Sequence, residues 1–334
     1  MTITSSVKTY RVKNWSNYNQ LLQDRWNINL WFCPEVVNKW YKEGDTRTHY
    51  TNQTILICLT IRALFNLSLR ATQGLMSSLI RRLNLPITCP HYTRLCRRAS
   101  GLDKIKIPRK RSSQAFYICV DSTGLKVYGP GEWQAHMHRA SQRRTWRKVH
   151  IAIDPITQQI TSALLTPSST GDGKVVPKLL NPLKDPLKKF YADGAYDSRK
   201  VYKYLYDRGI MPVIPVDINA RQTYIKELRP RLGKKRLIDP HPELYWRNQA
   251  IAHRDHFIDP VEGVKDWKKS SGYHLRSLVE TTMMRLKRTF TDKLRSRTLA
   301  NQKTEIYVKC LILNKFIELG LPYTVPIKYP TIKA

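Results

Sequence analysis

Acidic residues are scarce in this chain. Only 25 Asp and Glu stand against 58 Lys and Arg in 334 residues, a formal net charge of +33. Self-repulsion on that scale opposes compaction unless a polyanion offsets it. The shortage of acids therefore points to nucleic acid as the partner, with an anionic membrane surface as runner-up. Long hydrophobic runs are also missing: no apolar stretch reaches the roughly 18 residues of a spanning helix. The segment Met1-Thr-Ile-Thr-Ser-Ser-Val-Lys8 has no apolar core, so no secretory signal is expected. The six cysteines, at 33, 58, 89, 96, 119 and 310, include no Cys-x-x-Cys pair. Their scatter argues against a disulfide scaffold and for reduced thiols in a cytosolic protein. Cys89, His91 and Cys96 lack a fourth ligand at finger-like spacing, so zinc is not expected there. His253 and His256 read as surface residues. Internal repeats and low-complexity tracts are absent too.

What the chain does contain divides into two textures. Residues 1–107 read as an all-helical N-terminal domain. Trp15 to Leu22 has helical spacing, and Pro34 can open a short helix. Thr54 to Phe65 is an apolar run long enough for a buried helix. Asn66-Leu-Ser68 breaks it, and Ser68 can cap the next helix, which carries Leu69, Leu75, Leu79 and Leu83. A third helix from Pro90 to Arg98 has a basic face. Such a trio fits either a helix-turn-helix DNA reader or a plain bundle; its place ahead of a catalytic region favours DNA binding. Residues 108–114 form a basic linker that starts at a proline.

From residue 115 to 322 the pattern turns to strands. Ala115–Val120 is apolar on both faces, as a central strand would be. Alternation from Arg147 to Asp154, then Ile160–Leu165, gives two more strands. A helix at Val175–Leu183, a strand at Lys189–Ala192, a helix at Arg199–Tyr206 and a strand at Met211–Val216 follow. This order predicts an α/β fold, a ribonuclease-H-like mixed sheet flanked by helices. Segment 217–270 reads as irregular. Helices at 271–290 and 302–319 close the domain, and 323–334 is a tail.

Three of the rare acids stand out. Asp121 follows the apolar run Phe116-Tyr-Ile-Cys-Val120, and Asp193 follows Phe190-Tyr-Ala192; both are expected at strand ends. Glu280 belongs to a helical stripe with Tyr273, Arg276 and Lys287, about 60° wide at roughly 100° per residue. Read singly, each has a mundane role: Asp121 and Asp193 as turn aspartates, and Glu280 as an i, i+4 partner of Arg276. Together, two strand-end aspartates and a helix glutamate make a divalent-metal site for phosphodiester chemistry. Asp121 is the natural bridging ligand, with Asp193 on one Mg²⁺ and Glu280 on the other. Arg276 and Lys287 then face DNA phosphate, beside Tyr273.

These residues carry a resemblance. Asp121-Ser-Thr-Gly-Leu-Lys126, Ala192-Asp-Gly-Ala-Tyr-Asp197 and the Tyr-x2-Arg-x3-Glu-x6-Lys signature at Tyr273, Arg276, Glu280 and Lys287 resemble a bacterial insertion-sequence transposase of the DDE superfamily, close to insertion-sequence family five. The likeness extends to Asn14-Trp-Ser-Asn-Tyr18, Leu30-Trp-Phe32 and Leu69-Arg-Ala-Thr-Gln-Gly74, so it spans nearly the whole chain. It implies two Mg²⁺ ions, replaceable by Mn²⁺, and action on double-stranded DNA: the terminal inverted repeats of a mobile element and a target. It also implies hydrolysis to free a 3′ hydroxyl, joining of that hydroxyl to target DNA, and a homodimer or larger synaptic complex. A repressor derived from a transposase, or a nuclease that cuts without joining, are the competing readings. The stretch between Asp193 and Glu280 leaves room for only a small insertion; Trp246 and Trp267 within it serve either base stacking or core packing.

Overall fold

A computed structural model describes residues 10–43, 49–102, 107–108, 116–127, 146–223, 227–228, 236–237 and 241–326. Most of the expected linker, 109–114, and the end of the tail, 327–334, lie outside the described residues.

The N-terminal part is helical, as its spacing predicts. α1 (Trp15–Asp24) and the short α2 (Pro34–Asn38) precede α3 (Asn52–Leu64), α4 (Leu69–Arg82) and α5 (Tyr92–Ala99). Thr51 caps α3 by accepting from the Thr54 N–H at 3.2 Å, and Ser68 caps α4 by accepting from the Ala71 N–H at 3.2 Å. Asn66, at φ 53°, makes the break between them. A strand β1 (Tyr10–Val12) ahead of α1 pairs antiparallel with β10 (Thr324–Pro326), so the two ends of the described chain meet.

The central sheet is built from β2 (Phe116–Val127), β3 (Trp146–Ile153), β4 (Ile160–Pro167), β5 (Leu187–Tyr191) and β6 (Met211–Val213), in the order β4-β3-β2-β5-β6. β2, β3 and β4 pair antiparallel; β5 and β6 run parallel to β2. Three antiparallel strands extended by two parallel ones beside the first is the ribonuclease-H-like arrangement. Strand alternation splits the core into two layers. Phe116, Ile118 and Val120 face α6 (Val176–Leu180) and α7 (Arg199–Tyr206). Cys119, Leu125, Val149 and Ile151 face the other way, toward α10 (Ser277–Phe290) and α11 (Leu299–Leu319). That second layer is continuous with the core of α3, α4 and α5, so the helical region and the sheet share one apolar interior. Buried Asn314 ties α11 to the sheet edge, exchanging hydrogen bonds of 2.7 and 2.8 Å with the Ile160 backbone.

Segment 217–270 is not irregular throughout. It contains a two-residue ribbon, β7 (Glu227–Leu228) with β8 (Arg236–Leu237), then a helical hairpin, α8 (Tyr245–Asp255) and α9 (Pro260–Ser270). The apolar stripe of α8 is hard to read because Arg254 is turned inward. Its guanidinium donates to the carbonyls of Asp217, Ile218 and Ala220, each at 2.8 Å, and so fixes the preceding loop. Gly263 lets α9 press on α8, since a Cβ there would meet the Arg254 carbonyl oxygen at 2.4 Å.

Candidate active site

Asp121 lies within β2, not at its end. Ser122, Thr123 and Gly124 read as a turn, yet they stay paired with His150, Val149 and Lys148 of β3. The other flank of β2 behaves differently. β5 accompanies it only as far as Cys119, and the short β9 (Lys293–Leu294) joins it only from Lys126. Asp121 therefore sits at a gap in the sheet, on a flank where β5 has ended and β9 has not begun. Asp193 lies just past the end of β5, as expected.

The helical signature begins with a 3₁₀ turn, Tyr273–Arg276, that feeds directly into α10. Gly272 makes the entry from α9, at φ 75°, where a side chain would be strained. The apolar face of α10, including Val279, Met283 and Leu286, packs on the core. Its adjacent face lies over Asp121 and Thr123.

The structure brings all three sequence-predicted acids to one cation, Arg276. Its Nη2 donates to Asp121 Oδ2 at 3.1 Å and to Asp193 Oδ2 at 3.4 Å, while Nη1 donates to Glu280 Oε1 at 2.5 Å. Each aspartate uses its second oxygen locally: Asp121 Oδ1 accepts from the Ser122 N–H at 2.7 Å, and Asp193 Oδ1 from the Ala195 N–H at 3.0 Å. The turn role and the site role thus coexist in Asp193, one per oxygen. The acids form a gradient toward solvent, with side chains 13 % (Asp121), 34 % (Asp193) and 54 % (Glu280) exposed.

The electrostatics follow from that crowding. Burial pushes the Asp121 carboxyl above its ordinary value, and the neighbouring Asp193 and Glu280 push the same way against Arg276 and the Ser122 N–H. Burial opposes charge on Arg276, but Asp121, Tyr273 and Glu280 more than offset it and its pKa is raised. One monovalent guanidinium serves three carboxyls. Such a set, all oxygen and short of positive charge, has the donor chemistry of a hard divalent cation. Among the described residues, no group of three His, Cys, Asp or Glu is spaced to hold a metal with the side chains as they stand; Arg276 occupies the centre instead.

Lys287 joins the site from the next turns of α10 and donates to Thr123 Oγ1 at 2.6 Å. Sequence reasoning missed Thr123. The available signal was its position two residues after Asp121, hence on the same strand face. Tyr273 is half-buried beside Trp267, with ring centroids 6.2 Å apart, and Lys268 lies over its ring. Burial raises the Tyr273 hydroxyl pKa, so it stays a neutral hydrogen-bonding group. Trp267 thus packs behind the signature, whereas Trp246 is exposed, edge-on to Tyr245 at 5.0 Å.

Comparison with known proteins finds matches in both parts of the chain. A family model described as "Transposase DDE domain" matches residues 117–315, more than half of the chain, from β2 through most of α11. A second model of the same description matches residues 23–130. Among solved structures, the chain is similar to a cryo-EM structure of a piggyBac transposase synaptic complex with hairpin DNA. The match has 11% identity and a TM-score of 0.38, covering 89% of this chain and 74% of that one.

Proposed function

The chain belongs to the DDE transposases, and from that premise we propose that it cuts DNA at the terminal inverted repeats of an insertion sequence and joins the freed 3′ hydroxyls to target DNA. The observation that carries this reading is the convergence of Asp121, Asp193 and Glu280, far apart in sequence, on Arg276. Asp121, Asp193 and Glu280 are the residues that would hold divalent cations, Mg²⁺ with Mn²⁺ as substitute. Bound there, such ions lower the pKa of an attacking water or hydroxyl and stabilise the leaving oxygen.

The protein's own groups do the rest. Asp121 is the best buried of the three acids and is placed to bridge Asp193 and Glu280. The Arg276 fork offers two nitrogens to a phosphate, a geometry that lysine cannot reproduce. Lys287, on Thr123, sets a second positive charge along the same helix face. Tyr273 supplies a neutral hydroxyl beside them. In this reading an incoming phosphodiester draws Arg276 off the acids, so substrate and cations enter together.

The Tyr-x2-Arg-x3-Glu-x6-Lys signature supports placement in insertion-sequence family five, and the joining of two ends calls for a dimer or larger synaptic complex. Residues 1–107 serve as the DNA-binding part and 115–322 as the catalytic part. Among the described residues no single helix is long and apolar enough to cross a membrane; the reading puts the protein on chromosomal DNA in a bacterial cytoplasm.

The test is end cleavage and strand transfer on duplexes carrying the element's own ends, with Mg²⁺ against Ca²⁺. Expected are 3′-end cleavage and joined products in Mg²⁺ only. Cleavage without joining of pre-cut ends would make the protein a nuclease. Tight binding with neither reaction would make it a repressor.

A further inference from the structure

A second charged site lies at the far end of α10. There α3, α4 and α5 meet the segment Arg295–Thr298 and the start of α11 around a cleft of about 1110 Å³. Six cations line it: Arg62, Arg70, Arg97, Arg295, Arg297 and Lys309. The acid in the lining is Glu305, and it is already saturated. It accepts from Lys309 Nζ at 2.9 Å and from the backbone N–H groups of Arg295 and Ser296, and the Lys309–Glu305 pair is buried. That leaves five arginines in the lining with no carboxylate partner among the described residues.

One of them, Arg62, is partly withdrawn from solvent, and Arg295 is exposed but tethered. Arg62 is half-buried, its Nε has no hydrogen-bond partner, and its Nη1 reaches Ser296 Oγ at 3.5 Å. Burial works against its charge, and although Glu305 nearby supports it, with Arg295 opposing, the net shift is downward. Arg295 donates to the Asn66 carbonyl, which holds it across the cleft. Holding a half-buried guanidinium beside four exposed ones is costly unless an anion is bound. The remaining three form the mouth: Arg97 and Arg297 are exposed, and Arg70 stacks over Tyr92 at 4.6 Å.

We infer that this cleft binds the phosphodiester backbone of duplex DNA, several base pairs away from the phosphate held at the carboxylates. The inference rests on the transposase reading for the second anchor. From Glu280 to Phe290, which lines the cleft, α10 rises roughly 15 Å. One DNA strand advances 3.4 Å per base pair, so the two sites are at least about four to five base pairs apart. The cleft grips the duplex without reading its sequence, since arginine-to-phosphate contacts set register and not base identity.

The protein carries its own probe. Cys96 is exposed and lines the cleft, whereas Cys119 and Cys310 are buried, with thiols pushed up to about 12. Full-length protein is alkylated with a maleimide, with and without a saturating duplex of the element end, and each thiol's rate is read by peptide mass. Slowing of Cys96 by at least about tenfold, with Cys33 unchanged, is expected. In parallel, Arg97→Ala with Arg297→Ala should weaken duplex binding about tenfold and reduce the slope of log affinity against log salt by about two. The double variant Lys200→Ala with Lys203→Ala, on the exposed side of α7, should do much less.

Equal losses from the two double variants, or a Cys96 rate indifferent to duplex, would overturn the inference. So would protection of Cys96 by tripolyphosphate but not by duplex, which would make the cleft a small-anion site. Failure of the wild-type protein to cleave and join element ends would sink the transposase reading instead, whatever Cys96 does.

Discussion

The two ends of α10 solve opposite electrostatic problems. At its start, three carboxyls share one guanidinium, Arg276. At its finish, five arginines share no free carboxylate among the described residues. The first cluster is short of positive charge and the second of negative charge. A protein of net charge +33 has no need to leave either imbalance standing. The acids could be diluted among the many cations, and the arginines spread over the surface. Segregation along one helix makes sense when a polyanion lies along it, with its phosphates over the basic end and divalent cations between it and the acids.

The sharpest way to break the contrast is to neutralise the acids singly. Asp121→Asn, Asp193→Asn and Glu280→Gln should each lower cleavage and joining by about a thousandfold or more, the scale of losing a preorganised charge at a reacting phosphate. Duplex affinity measured by fluorescence anisotropy should stay within about twofold. Near-normal cleavage by any one variant would take that residue out of the site.

His150 tests whether the back of the sheet adds to the imbalance. It is buried on the face opposite Asp121, with Nε2 2.9 Å from Thr166 Oγ1 and Nδ1 3.4 Å from Asp172, which also pairs with Lys148. Burial, helped by Lys148 and opposed by Asp172, lowers its pKa from 6.5 to about 4. The unfolded chain therefore takes up a proton that the folded one refuses. Stability should fall as pH drops from about 6.5 to about 4, by up to about 3 kcal/mol. His150→Gln should flatten denaturant-melt midpoints over that window. An unchanged pH slope would show that His150 titrates normally.

Arg276→Ala should act in the same direction but more weakly, since the cluster is partly open to solvent. Without its counter-ion the acid cluster should cost about 2 kcal/mol of stability. Added Mn²⁺ should then raise the melting temperature of the variant more than that of wild type, because the ion no longer competes with the guanidinium. Equal Mn²⁺ shifts would mean that Arg276 does not stand where cations bind.

Much of the acidic end was legible in the sequence. Tyr273, Arg276, Glu280 and Lys287 share a stripe by helical arithmetic alone, and Asp193 follows a short apolar strand. Asp121 shares Arg276 with the other two acids, but it lies inside its strand rather than at the expected end. Ser122-Thr-Gly124 has turn chemistry, and only pairing with β3 keeps it extended. The α8–α9 hairpin escaped because Arg254 spends its charge on loop carbonyls, which breaks the amphipathic pattern. The basic end left one trace, the basic face of the helix that carries Arg97. Its other arginines come from α3, α4 and the turn before α11, and in so basic a chain no local run marks them.

The most direct test of the central claim is a crystal structure of the protein with a pre-cut element end and Mn²⁺, read by anomalous scattering. The account predicts Mn²⁺ peaks bound by Asp121, Asp193 and Glu280, with Arg276 moved from the acids onto a DNA phosphate. Manganese bound elsewhere, with Arg276 still bridging the three carboxyls in the DNA complex, would contradict it.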